Sequence, residues 1–392
     1  MKVVINICRL LLAVVFILSG FVKAVDPMGT QYKIEDYLVA WHLHGLLPGF
    51  ATLAASCVLA ATEFCIGIFL LFAIRRRLVS RLALAVMIFM TPLTLWLALS
   101  DPVHDCGCFG DALVLSNWQT FWKNVVLLVA AVVVARWPLE MFRFVSKSNQ
   151  WIVVNYTILF ILAIEGWSLY DRPQFDFRPY HVGTDLRQGW QRTMEGEDLP
   201  YADFFLSRVD NGEDITEQVL DDEGYTFLLV SPHLELADDS QLDLINQMYE
   251  YAQENGYAFY GLTASGRQAI EHWQDRTGAE YPFCQTDAIT LKTVIRSNPG
   301  MLLLKDGVVI RKWSHNLLPG EEDLTLPLEK SELGRISENS VARRIVKILL
   351  WFVLPLSLLT IADRLWMWTR WLRRKDMAEK EILEKEETKQ PN

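Results

Sequence analysis

The chain has 392 residues, 51% of them apolar, with 14 Trp, 20 Phe and a net charge of −10. Its apolar residues fall in uninterrupted blocks close to the ~20 residues that cross a bilayer, which excludes an ordinary soluble enzyme of two or three domains. The acidic balance, with no basic stripe, excludes a nucleic-acid partner.

Six blocks are predicted as spans, at 4–24, 50–73, 81–99, 119–137, 151–169 and 344–362. The first has the basic start and apolar core of a signal peptide. However, "LSGFVKAVDP" offers no small-x-small cleavage site and four further spans follow directly, before the polar stretch 170–343, so it is read as a retained helix. Lys23, at its outer end, is expected either to snorkel to the interface, the simpler role, or to anchor an anion or a quinone head group. Span two carries Cys57, Glu63 and Cys65. Glu63 falls near mid-span, where a carboxylate is costly and by default a functional candidate. As a plain structural group it would pair with a neighbour and fix helix packing. Cys8, Cys57 and Cys65 are read as packing cysteines, Cys57 being the nearest of them in depth to the loop after span three.

Lys and Arg set the orientation. Arg75, Arg76, Arg77 and Arg81 follow span two; Arg136, Arg143 and Lys147 follow span four; Arg364, Arg370, Arg373, Arg374 and Lys375 follow span six. The alternate loops are poor in positive charge, with Lys33 alone in 25–47 and neither Lys nor Arg in 101–117. Both termini are therefore expected in the cytoplasm, with the 101–117 loop and the polar stretch 170–343 outside. In a bacterial inner membrane that side is the periplasm, where disulfides persist.

The loop "DPVHDCGCFGDALVLSNW" places Cys106 and Cys108 on either side of Gly107, which has no side chain to obstruct a small ring. A disulfide closing so short a ring is strained and exchangeable. Three roles fit the pair: thiol–disulfide exchange, a disulfide that locks a turn, or soft-metal binding with His104 and Asp105, for which no fourth ligand is evident. Asp101, Asp105 and Asp111 disfavour a thiolate here. Activation is then left to ring strain, to the helix start near Ser116–Asn117, or to a partner.

"CRLLLAVVFILSGFVKAVDP" resembles the opening helix of the DoxX-like membrane proteins, and "ATEFCIGIFLLFAIRRR" resembles their second. "DCGCFGDALVLSNWQTFWKNVVLL" resembles the loop and fourth helix of the MauE branch, the methylamine utilisation membrane proteins. The resemblance covers about residues 1–137. It implies a four-helix membrane bundle, similar to the vitamin K epoxide reductase type, with a role in disulfide formation or electron transfer. By position it gives Cys106 and Cys108 the paired-cysteine role and makes Lys23 and Glu63 the polar membrane positions.

Residues 225–317 read as strand "YTFLLVS", helix "SQLDLINQMYEYAQENG" ended by Gly256, strand "YAFYGLTAS", helix "RQAIEHWQDRTG", then a helix and two strands joined at Lys305-Asp306-Gly307. A β-α-β unit followed by α-β-β is the thioredoxin order. "IRSNPGMLLLKDGVVIRKW" resembles the thioredoxin-like cis-proline strand and hairpin, which implies a cis peptide at Pro299. Where such domains carry C-x-x-C, this chain has Ser231, Pro232 and His233 and no cysteine. Its lone thiol, Cys284, is read as packed.

The expected whole is an α-helical membrane bundle bearing an external α/β thioredoxin-like domain. Its parts are a four-helix core over 1–137, a fifth span within 138–169, the external stretch 170–343, a sixth span at 344–362, and a charged cytoplasmic tail over 363–392. The first expected function is periplasmic thiol–disulfide or quinone-linked electron transfer through Cys106 and Cys108, helped by Glu63 and Lys23, with the external domain holding a protein partner. A non-enzymatic scaffold or maturation factor is the second, and metal handling at the Cys106 loop the third. Membrane lipid, a periplasmic protein and a quinone are the expected partners.

Overall fold

Inside a bilayer no water satisfies the backbone, so an apolar stretch closes its hydrogen bonds within itself as helix. The computed structural model describes residues 1–43, 45–101, 107–171, 176–197, 199–201, 203–336 and 341–387. Among the described residues six helices are long and apolar enough to cross a membrane, one at each expected span.

The bundle comprises α1 (Lys2–Val25), α3 (Gly49–Leu71), α4 (Arg76–Ser100), α5 (Asn117–Arg136) and α6 (Gln150–Tyr170), with α2 (Pro27–Ala40) between the first two. The stretch 25–47, expected as a loop, therefore holds a helix. It starts where local chemistry favours one: Asp26 accepts from the Gly29 N–H, and Pro27 occupies the first turn. Hydropathy does not reveal it because it is too polar to be a span. α1 and α3 pack backbone to backbone. A Cβ on Gly20 would lie 2.3 Å from the Phe64 nitrogen, and one on Gly67 would lie 2.7 Å from the Ile17 nitrogen. Small residues at such crossings are how membrane helices approach closely.

The sheet domain follows as α7 (Leu186–Met194), β1 (Ser207–Arg208), α8 (Thr216–Leu220), β2 (Tyr225–Ser231), α9 (Leu242–Asn255), β3 (Ala258–Thr263), α10 (Arg267–Thr277), β4 (Phe283–Gln285), α11 (Ala288–Val294), β5 (Gly300–Lys305) and β6 (Val308–Ser314). The strand order is β1-β4-β3-β2-β5-β6. β2, β3 and β4 run parallel, while β5 is antiparallel to both β2 and β6. β2 is buried along its whole length, as a central strand covered on both faces must be. Its side chains alternate between two cores: Phe227 and Leu229 join Trp273 and Met301, whereas Leu228 and Val230 join Cys284 and Leu302. The β5–β6 turn sets Asp306 at φ 53° and Gly307 at φ 73°, the two positive angles of a tight hairpin. The Asn298–Pro299 peptide is cis. Strand order, hairpin and cis-proline together make this a thioredoxin-like domain.

The last span belongs to α12 (Val341–Glu387), a single 47-residue helix. The tail, whose end from 376 reads as a charged extension that is either a frayed helix or disordered, continues the helix to Glu387. α12 packs on the bundle through Phe352, whose ring centroid lies 4.4 Å from that of Phe160 and 5.4 Å from that of Phe64.

Candidate functional site

Three polar side chains meet in the apolar bundle. Ser19 and Lys23 lie one turn apart on α1, and Glu63 faces them from α3 across the Gly20 contact. Lys23 Nζ donates to Glu63 Oε2 at 2.7 Å, to Ser19 Oγ at 2.7 Å and to the Cys108 carbonyl at 2.9 Å. Its three ammonium protons are all engaged. Ser19 Oγ lies 2.7 Å from both Glu63 Oε2 and the Cys108 oxygen, and its one proton can go to either. All three side chains are buried. Lys23 therefore does not snorkel, contrary to its simpler expected role: the α1–α3 contact brings a carboxylate within reach, and the Cys108 backbone supplies a third acceptor.

The described residues flanking the loop are held as well. Asn117 Nδ2 donates to Asp101 at 2.7 Å, and Ser116 with Gln119 forms a capping box at the start of α5. Gly107 and Gly110 both have positive φ. A Cβ on Gly107 would come within 3.0 Å of Lys33 on α2. Beside Ser19, Glu63 and Cys108 lies a small cavity of about 30 Å³, enough for a water. Cys106, with His104 and Asp105, lies outside the described residues, so its pairing with Cys108 and the metal reading of H-D-C-G-C rest on sequence. Among the described residues no group of three or more His, Cys, Asp or Glu is placed to hold a metal.

Asp111 in the same loop is not left to repel a thiolate. Arg296, three residues before Pro299, reaches it at 3.2 Å and binds Asp26 at 2.9 Å. It also lies over the Tyr32 ring at 5.2 Å. Burial works against the Asp26 carboxylate, but Arg296 and Arg178 outweigh it and hold its pKa below the usual value. Burial pushes Asp111 up, with Arg296 opposing. The sheet domain is thus docked on the bundle beside the cysteine loop. Between them opens a cleft of about 750 Å³, with Gly107 and Asp111 on one wall and Phe177, Lys292 and Arg296 on the other.

At the position where a thioredoxin-like dithiol would stand, hydrogen bonds close the surface. Ser231 Oγ donates to Asn298 at 2.6 Å, and Asn298 Nδ2 donates to the His233 carbonyl at 2.9 Å. The helix whose N-terminus would stabilise a thiolate starts only at Leu242, after a three-residue 3₁₀ turn at Leu234–Leu236. Cys284 is fully buried, and burial pushes its thiol up to about 12. Both features disfavour the thiolate that reacts.

Of the residues singled out in the sequence, the structure gathers Lys23, Glu63 and the Cys108 backbone, and sets Pro299 next to the docking segment. Sequence reasoning passed over Ser19, whose only signal is its i, i+4 spacing from Lys23. It also passed over Arg296, whose partners are far away in the chain, and Glu165, a carboxyl inside span five that carries the same signal as Glu63.

Residues 1–136 match the family model for methylamine utilisation protein MauE. No curated protein matches the chain. Among solved structures, similarity is found to a putative protein disulfide isomerase from Bacteroides thetaiotaomicron at 15% identity, covering 31% of this chain and 78% of that one, with a TM-score of 0.25. StoA from Bacillus subtilis matches at 15% identity, with 28% and 87% coverage and a TM-score of 0.24. An uncharacterized conserved protein from Geobacillus kaustophilus matches at 12% identity, with 35% and 82% coverage and a TM-score of 0.27. Residues 1–136 are thus similar to MauE, and the chain as a whole is a multi-pass membrane bundle that carries a thioredoxin-like domain.

Proposed function

We propose that the protein is a thiol–disulfide relay of the bacterial inner membrane, with cytoplasmic termini and a periplasmic sheet domain. The asymmetry of Lys and Arg between alternate loops supports the sidedness. One observation carries the redox reading: the backbone of Cys108 is fixed by Ser19 and Lys23, buried together with Glu63 inside the membrane bundle. A turn-locking disulfide needs no such hold, whereas a sulfur that must meet an incoming thiol benefits from a fixed position. Lys23 touches the Cys108 carbonyl, and Arg296 offsets the charge of Asp111.

The exchange balances within the chain and its substrate. A thiolate of the substrate protein attacks one sulfur of a Cys106–Cys108 disulfide, forming a mixed disulfide and releasing the other cysteine as thiolate. A second substrate thiolate resolves the mixed disulfide. The substrate leaves with one disulfide, and the pair is left as two thiols that take up the two protons the substrate lost. The 750 Å³ cleft is where the substrate segment would lie. A lipid-soluble quinone would lie in the apolar crevice of about 340 Å³ walled by Phe21, Phe64, Phe160 and Phe352. When bound there, it would supply two-electron acceptance.

The missing dithiol of the sheet domain favours a second reading, a maturation scaffold whose cysteines serve only structure. Thiol alkylation with mass measurement across a series of redox buffers separates the two. Cys106 and Cys108 are expected to convert together, and at a less reducing potential than a structural disulfide requires. Two thiols that stay free in strongly oxidising buffer would sink the relay and leave the scaffold.

A further inference from the structure

Membrane helices commonly satisfy hydroxyls on their own backbone, and this bundle does so repeatedly. Thr91, Thr94, Ser100 and Thr360 each donate to the carbonyl four residues earlier, at 2.7, 2.9, 2.7 and 2.7 Å. α6 departs from that habit. Thr157 Oγ1, Glu165 Oε1 and Ser168 Oγ are buried with no hydrogen-bond partner. Their residues are 0%, 4% and 2% exposed. The spacing keeps all three on one stripe of the helix, with Ile161 and Ile164 between them.

Glu165 also has no ion pair among the described residues. Cys57 and Cys65 of α3 lie within its electrostatic range. The charges on neighbouring elements are committed elsewhere: Lys23 of α1 to Glu63, Asp26 at the head of α2 to Arg296, and Asp363 of α12 to Ser146 and Asn149. An ionised Glu165 would be a lone anion within a span, which is costly. As the neutral acid it carries a proton that must be donated to something. Ser168 lies one turn nearer the sheet-domain end of α6. By the 1.5 Å rise, Ser168 is about 3 Å and Glu165 about 7.5 Å from the end of the helix at Tyr170.

We propose that Glu165 is a proton-binding site, a neutral acid that exchanges its proton with the sheet-domain side through water ordered against Ser168. The ligand class is water and the proton it carries. The site is separate from the Lys23–Glu63 pair, whose groups are satisfied, and it does not depend on the thiol chemistry.

Infrared spectroscopy of the full chain in lipid nanodiscs at neutral pH, in H₂O and D₂O, tests this. A protonated-carboxyl band is expected that shifts in D₂O, is lost in Glu165→Gln, moves in Glu165→Asp and is retained in Glu63→Gln. Ser168→Ala should slow the deuterium shift severalfold. The proposal is overturned if no such band is present, if it survives Glu165→Gln in full, or if it fails to shift in D₂O. An unchanged exchange rate in Ser168→Ala overturns the route through Ser168. The D₂O shift is read on the unaltered protein, so it stands even where a variant fails to fold.

Discussion

Lys23 has three acceptors within 2.9 Å, and two of them, Glu63 and the Cys108 carbonyl, belong to other segments of the chain. Removing either partner of the pair leaves the other charge buried and uncompensated, at a cost of about 3–5 kcal/mol. Lys23→Met and Glu63→Gln should each destabilise the protein to about that extent in thermal unfolding within nanodiscs. The double variant Lys23→Met/Glu63→Leu should recover most of the loss, because no lone charge remains. Cys108 should nevertheless alkylate faster in the double variant, since its carbonyl loses Lys23 and keeps only the Ser19 hydroxyl. Equal stability in single and double variants would show that the charges do not act as a pair. Both charges were legible in the sequence because a Lys or Glu within an apolar run is costly and so conspicuous. Ser19 was not, because a serine in such a run reads as one more small residue. What the sequence could not give was the Cys108 carbonyl as a partner of Lys23, a contact between segments far apart in the chain.

At the scale of elements, the site exists because two helices touch at glycine. The Cβ that Gly20 lacks would sit 2.3 Å from one backbone atom of α3 and 2.8 Å from another, so no rotamer change can make room. Gly20→Ala should push α1 and α3 apart, with an overpacking cost of about 1–3 kcal/mol and faster alkylation of Cys108. Gly166 in α6 is the control. A Cβ there meets nothing within 4 Å, and Gly166→Ala should change stability by no more than about 1 kcal/mol, in the favourable direction. If both variants behave alike, the close α1–α3 approach is not what positions the pair. Span positions were readable because hydropathy reports length and apolarity directly. α2 was missed because a short polar helix carries neither signal. Strands and hairpin of the sheet domain were readable from "YTFLLVS" and the Asp-Gly turn. β1, only two residues long, gave no periodicity to read.

The joining of bundle to sheet domain lies beyond sequence periodicity altogether, because Asp26 and Arg296 are brought together by the fold of everything between them. Arg296, buried against Asp26, Asp111 and the Tyr32 ring, fastens the segment before Pro299 to both α2 and the cysteine loop. Arg296→Gln should therefore loosen both at once. Deuterium uptake should rise severalfold in 27–40 and 107–112 but not in β2, and Tyr32 should become more open to hydroxyl-radical footprinting. The pH dependence follows from the two carboxylates, which have opposite signs. Docking depresses the pKa of Asp26: burial opposes ionisation, but Arg296 and Arg178 prevail. Its contribution is full above the ordinary value of 3.8 and is lost as pH falls through the lower, docked value. Docking raises the pKa of Asp111 through burial, so the docked state prefers that proton. Its contribution becomes more favourable as pH falls from the docked value towards 3.8. The interface should thus withstand mild acid and open only when Asp26 is finally protonated. Protection of Tyr32 should persist from neutral pH to about pH 5 and fail below the ordinary carboxylate range. Loss of protection already above pH 5, or unchanged protection in Arg296→Gln, would mean that something other than this arginine holds the two domains together.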